Sequence, residues 1–376
     1  MQLAFCGEAL RMARLLQGYS LEDVATRVGK SRQYISKLEI GSGAPSIEMV
    51  SALSTVLRVT PAFFDGSTSP KPVAEEQVHF RRLATTKVSV KQIALAKAAM
   101  MQRFVQAIEE HLQLPTVRIP QFGEATTLSE IEAAAENCRR EWGVGFGPIL
   151  DMTRLAETVG AVVTTFTGVS NEVDALSFVG DRPIIVRNNA KESACRQRFD
   201  IAHELGHCVL HAGRVTGDRV SESEANRFAS ALLVPRAMMI KHFPRPRGSF
   251  LDWKGISEFK FAWKISKAAV LYRARQLDLI SDELYRRGAI SLRRGEATKE
   301  REDDLIPMER PALLDRAITL LREQLGITLP VLAMRLGLTI ELLQDLLGEH
   351  MLDTGEGLCE AKNVISMPRF IRMRAS

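Results

Sequence analysis

Residues 203–207 read His-Glu-Leu-Gly-His, and they constrain the fold more than any other stretch of this 376-residue chain. Two histidines four positions apart on a helix differ by about 40° around its axis, so both rings leave one face. Two ring nitrogens so placed can hold one Zn²⁺ at about 2.0–2.1 Å. Glu204, beside the first ring, can take a proton from a water that the metal polarises, and the spacing is that of the H-E-x-x-H motif. Phe199, Ile201, Ala202, Leu205, Val209 and Leu210 surround the histidines with apolar side chains. The pattern predicts a mostly buried helix from about Ser193 to His211, where a dry site strengthens the cation's pull on its water. The bland alternative, two packed histidines with Glu204 on the surface, leaves a charged residue on an apolar helix without a reason. His211 extends the histidine face by one more turn, as a packed or supporting group or a substrate contact. Cys208 lies about 100° round from His207 and reads as packing.

A catalytic zinc needs a third protein ligand and an open fourth position. Downstream, Ala225, Phe228, Ala229, Leu232 and Leu233 fall at helical spacing and Pro235 ends the run. Glu222 and Asn226 share a face of that helix. Glu222 is the candidate ligand and Asn226 the candidate hydrogen-bond partner of a ligating histidine. Glu224 competes for the ligand role, and it lies roughly opposite Glu222, so both cannot reach one metal. The Glu222–Asn226 pair is similar to the Glu-x-x-x-Asp/Asn arrangement of zinc peptidases with a glutamate ligand, which favours Glu222.

Trp142-Gly143, Asp174-Ala-Leu-Ser-Phe178, Arg182-Pro-Ile-Ile-Val186, the stretch Arg198–His207, the run Glu222–Pro235 and the segment Ser266–Arg275 stand in one order along the chain. Together, from about Leu128 to Ser291, they resemble the ImmA/IrrE family of metallopeptidases. The resemblance implies a zinc endopeptidase that cleaves a partner repressor and so switches on genes. It implies His203, His207 and Glu222 as ligands and Glu204 as general base. Short β-type runs precede the metal motif at Ala161–Phe166, Ala175–Val179 and Pro183–Val186, the last two joined by a turn at Gly180-Asp181-Arg182. They either cover the helices or offer an edge strand to an extended substrate.

The first 65 residues carry a second signal. Leu10, Ala13 and Leu16 mark one amphipathic helix. Ser20 caps a second, with Leu21, Val24, Ala25 and Val28, closed by Gly29. Ser31 caps a third, with Ile35 and Leu38 turned inward. Met49, Val50, Leu53, Leu57, Phe63 and Phe64 complete a compact five-helix layout around a helix-turn-helix. Over residues 7–65 the order resembles the XRE, lambda-repressor-like, DNA-binding family. The resemblance makes Ser31–Lys37 the recognition helix. Ser31 stands at its start, and Arg32, Gln33, Ser36 and Lys37 face outward to read base edges or phosphates. Bulk charge does not argue for DNA here, because residues 1–65 hold seven Lys/Arg against six Asp/Glu. The basic stretch is 241–301, with fifteen Lys/Arg and seven Asp/Glu, which is either a polyanion surface or a solvated helical one.

No run of 18 apolar residues predicts a membrane span, and the start lacks a basic, apolar leader. Five scattered cysteines without paired spacing fit reduced thiols. The expected location is cytoplasmic. The expected organisation is a helix-turn-helix domain at 1–66, a linker and connecting helix at 67–127, the peptidase-like domain at 128–298, and a helical domain at 305–376 containing a degenerate helix-turn-helix. The fold class is mainly α with a small β-sheet (α+β). The expected function is a DNA-binding regulator, a homodimer on an operator, whose Zn²⁺ endopeptidase module cleaves a protein substrate such as a repressor. The alternative is a non-catalytic regulator whose peptidase-like domain senses a ligand or partner.

Overall fold

The computed structural model describes residues 5–66, 78–80, 88–123, 127–165, 175–187, 193–248, 250–295, 299–348 and 371–373. The Pro/Ser-rich linker after Gly66, Phe166, Asp174 and the tail residues Arg369 and Arg374 lie outside these. The described chain is mainly helical with a small mixed sheet, the expected α+β class.

The amino-terminal module is α1 (Gly7–Leu16), α2 (Leu21–Arg27), α3 (Arg32–Glu39) and α4 (Ile47–Leu57), followed by a 3-10 turn at Pro61–Asp65. Ser20, Ser31 and Ser46 start α2, α3 and α4 by accepting the amides of Asp23, Tyr34 and Met49. Each satisfies a donor that the helix cannot. The fifth expected helix is only a 3-10 turn, because Pro61 fixes its first residue and Gly66, at φ 82°, ends it. Arg14 ties α1 to the end of α3 by a two-pronged bond to Glu39 at 2.6 and 3.0 Å.

The connecting helix expected within 67–127 is α5 (Val88–Glu109). Pro115 disfavours helical backbone before it. Leu112–Gln113 (β2) instead pairs antiparallel with Arg372–Met373 (β6), a strand within the stretch expected to be helical. The main sheet has the order β1-β4-β5-β3, where β1 is Val78–Phe80, β3 Val162–Thr165, β4 Ala175–Phe178 and β5 Ile184–Arg187. β4 and β5 form the expected hairpin, β3 runs parallel to β5, and β1 comes from the stretch read as linker.

Strand alternation divides the sheet into two faces. Val78, Phe178, Ile184 and Val162 join a core shared with α5 and the helix-turn-helix module. Val163 and Ile185 join a second core around α8 (Ala194–Leu210) and α9 (Arg219–Leu233). His79 and Ser177 occupy the register positions of that second face.

Residues 299–312 strap the carboxy-terminal helices to the peptidase-like module. Lys260, on α11 (Trp253–Trp263), is fully buried and donates to Glu300 Oε2 at 2.7 Å and Asp303 Oδ1 at 2.6 Å. Arg198 of α8 pairs with Glu309, which also accepts the Met152 and Thr153 amides at 2.9 Å, at the start of α7 (Met152–Thr158). Lys267 meets Glu302, and Arg273 meets Glu132. So Lys260, Lys267 and Arg273, three of the cations in the basic stretch, are spent on internal pairs rather than on a polyanion surface.

Glu157 of α7 accepts the Ala312 and Leu313 amides through one oxygen, at 2.9 and 3.0 Å. Burial raises its carboxyl from 4.5 to about 7, against the lowering effect of those two amides. Between these values the unfolded chain has released a proton that the folded chain keeps, so stability falls as pH rises from 4.5 to 7. Glu157→Gln keeps the accepting oxygen and removes the charge. Its stability advantage over the parent should open across that window and level off above pH 7 at about 3 kcal/mol. Denaturant midpoints at pH 5 and pH 8 check this, and a difference independent of pH contradicts it.

The degenerate helix-turn-helix expected near the end is α15 (Leu329–Arg335), Gly337 and α16 (Ile340–Leu347), preceded by α14 (Leu313–Leu325). These helices pack on the amino-terminal module. The contact is reciprocal: the Thr60 amide donates to Gly337 O at 2.8 Å, and the Thr339 amide donates to Arg58 O at 3.0 Å. Arg58 and Gly337 are both left-handed, at φ 54° and 72°, and Thr60 and Thr339 each start the next turn. Two equivalent turns therefore meet as like meets like in a two-fold contact, here within one chain. No single described helix is long and apolar enough to cross a membrane; α14 and α15 together pass by composition, but they bend by 99° and bury their apolar sides in this core.

Candidate metal centre and recognition helix

Ser193 starts α8 by accepting the Arg196 amide, and His211 closes it, the bounds that the apolar pattern predicts. Asp218 starts α9 by accepting the amides of Val220 and Ser221. The two helices pack closely at Gly206. A Cβ there would lie 3.0 Å from the Phe228 ring and 3.3 Å from Ala225 O. That contact brings the first turns of α9 against the histidine face of α8.

His203, His207 and Glu222 offer one donor atom each within 4.8 Å of one another. His203 Nε2 and His207 Nε2 are 3.1 Å apart, and Glu222 oxygens lie 3.5 Å from the first and 3.3 Å from the second. A tetrahedral ion with bonds of about 2.0–2.1 Å spaces its ligand atoms about 3.3 Å apart. The triangle therefore fits a zinc ion.

Hydrogen bonding sets the tautomers to suit. Glu224 Oε2 can only accept, so His211 Nε2–H donates to it at 2.9 Å. Burial lowers the His211 pKa, so the ring is neutral and its Nδ1 accepts. His207 Nδ1–H then donates to His211 Nδ1 at 2.9 Å, which leaves the His207 Nε2 lone pair facing inward. Likewise His203 Nδ1–H donates to Asn226 Oδ1 at 3.1 Å and leaves its Nε2 lone pair inward. The two Nε2 atoms so face each other at 3.1 Å, a gap that a shared proton or a cation fills. Burial keeps His207 well below its usual pKa. An unprotonated imidazole is the form that binds metal.

Glu204 is fully buried, and its Oε2 accepts from Ser177 Oγ of β4 at 2.6 Å. The competing ligand Glu224 is turned to His211, on the outer side of the relay. Ser177 and His79 escape the sequence reading, and so does the pairing of His211 with Glu224. His211 and Glu224 act as a pair across the α8–α9 loop. Ser177 is an ordinary strand serine until β4 is placed. His79 of β1 is fully buried, with its ring stacked 5.0 Å from that of His207 and its Nδ1 2.7 Å from Thr216 Oγ1. Burial depresses its pKa to about 4, aided by His211 and His203 and opposed by Glu222. Only a lone histidine marks this position in the sequence.

On α3 the exposed positions are Arg32, Gln33 and Lys37, with Ser31 exposed at the cap and Ser36 half-exposed. Ile35 and Leu38 are buried on the opposite side. The outer face of α3 thus presents a cap hydroxyl, an amide and two cations, groups able to bond base edges or phosphates.

Residues 10–64 match the helix-turn-helix family, and residues 156–275 match the IrrE N-terminal-like domain. No curated protein matches the chain. The polypeptide joins a helix-turn-helix domain, whose expected partner is DNA, to an IrrE-like domain.

Proposed function

We propose that this protein is a DNA-binding transcription regulator whose second module is a zinc-dependent endopeptidase acting on a repressor. The substrate class follows from the ImmA/IrrE resemblance. The proteolytic half rests on one observation: two imidazole Nε2 atoms 3.1 Å apart, with Glu222 carboxylate oxygens 3.5 and 3.3 Å from them. Zinc, when bound, supplies a Lewis acid that polarises a carbonyl and lowers the pKa of water. His203, His207 and Glu222 would hold it, and Asn226 and the His211–Glu224 relay keep both rings correctly oriented. Glu204 takes a proton from the attacking water and returns it to the leaving amine. Ser177 orients that carboxylate, and the buried surroundings exclude bulk water. Ser31, Arg32, Gln33, Ser36 and Lys37 read the operator, and a palindromic site takes two copies of the chain.

Incubating the zinc-loaded full-length protein with candidate repressors, and sequencing any new termini, tests this. The parent cleaves. Glu204→Gln cleaves at least about 10²-fold more slowly, with zinc content and operator affinity unchanged. Undiminished cleavage by the variant removes Glu204 from its role. Zinc and operator binding without cleavage of any candidate by the parent contradicts the endopeptidase and leaves a sensor.

A further inference from the structure

We propose that β4 is the peptide-docking edge of the metal cleft and that Val78–Phe80 is its internal occupant, so that an extended substrate binds only when this segment leaves. The inference deepens the endopeptidase reading by naming how the cleft takes its substrate and what keeps it shut. An extended peptide recognised by backbone pairing needs a free strand edge beside the reacting groups. β4 is that strand, because Ser177 touches Glu204. With β5 on one side and β1 on the other, β4 has no free edge.

The occupant is fitted to the cleft as a substrate strand would be. It runs antiparallel to β4, with Val78 opposite Phe178, His79 opposite Ser177 and Phe80 opposite Leu176. Directly opposed residues project to the same side of a sheet. His79 therefore points with Ser177 towards α8, where its ring covers His207 and Thr216 holds its Nδ1. Its Nε2 is buried and, among the described residues, has no hydrogen-bond partner. The compact donor set is His203, His207 and Glu222, and His79 closes its flank without belonging to it. A substrate pairing instead with the outer edge of β1 would lie one strand, about 4.8 Å, farther from Glu204.

The test uses the zinc-loaded full-length protein in a Glu204→Gln background, so that binding is read without turnover. The probe is a fluorescent heptapeptide with the sequence of residues 76–82. His79→Pro removes both the ring and an amide of β1. It should bind the probe at least about tenfold more tightly than the His79 chain, as expected when a covalently tethered competitor is lost. Amide exchange at residues 175–178 should quicken about tenfold in the variant and slow again with probe, while α8 keeps its protection. His79→Ala, which keeps the backbone pairing, should give a smaller gain in the same direction and guards against misfolding of the proline variant. With Glu204 restored, His79→Pro should cleave a protein substrate faster than the parent. Equal probe affinity in all three chains overturns the proposal, as does slower cleavage by His79→Pro with α8 still protected. Tighter probe binding with no cleavage by any chain upholds the docking edge and sinks the endopeptidase reading instead.

Discussion

His207→Ala should lower zinc affinity by about 10²–10⁴-fold. Structural zinc sites release about 10–16 kcal/mol over four ligands, so one ligand is worth roughly 3–4 kcal/mol, and each 1.4 kcal/mol is tenfold. The loss here goes further than one donor, because His207 also links the metal position to the His211–Glu224 relay. Glu224→Gln isolates that second contribution. It leaves all three candidate ligands in place, but its amide no longer obliges His211 to donate, so the lone pair of His207 is less firmly directed inward. Outer partners of this kind are worth about 10–100-fold in metal affinity. Competition against a chromophoric chelator orders the series: the parent tightest, Glu224→Gln intermediate, His207→Ala weakest. Glu224→Gln as weak as His207→Ala would make Glu224, not Glu222, the third ligand.

Lys260→Met should cost about 3–5 kcal/mol of stability, the range for removing one partner of a buried ion pair. Lys260 is fully buried, and Glu300 and Asp303 both converge on its ammonium, at 2.7 and 2.6 Å. Methionine fills the volume but leaves two carboxylates facing each other out of water. Glu300 also accepts the Lys267 amide at the start of α12 (Lys267–Gln276), so the damage extends to that helix. The strap 299–312 then loosens from α11, while the amino-terminal core is untouched. Denaturant unfolding should show an earlier transition for the peptidase-like module with the helix-turn-helix transition in place. An unshifted first transition would show that the strap contributes nothing to stability.

The legible parts of the sequence are those whose causes are local. Ser193 and the apolar spacing of Ile201, Leu205 and Val209 mark α8 because a cap and one helical period suffice. Glu222 and Asn226 share a face by spacing alone. Ser31, Arg32, Gln33 and Lys37 stand outward because Ile35 and Leu38 must turn in. The illegible parts depend on which element meets which. His79 is one histidine in a stretch read as linker, and it acquires meaning only when β1 pairs with β4. Glu224 competes with Glu222 on paper and is separated from it only when His211 reaches it across a loop. The stripe of Leu342, Leu343, Leu346 and Leu347 announces burial without naming its cover, which is the chain's own amino-terminal module. The fifth amino-terminal helix fails for a local reason, Pro61 followed five residues later by Gly66, which the apolar pair Phe63-Phe64 masks in the sequence.

X-ray absorption at the zinc edge of the loaded full-length protein tests the central claim most directly. Two imidazoles and a carboxylate predict a first shell of nitrogen and oxygen only, at about 2.0–2.1 Å, with imidazole scattering beyond it. The same spectrum should vanish with the metal in a His203→Ala, His207→Ala double variant. A sulfur shell at about 2.3 Å, or an unchanged spectrum at full occupancy in the double variant, would place the metal elsewhere and contradict the account.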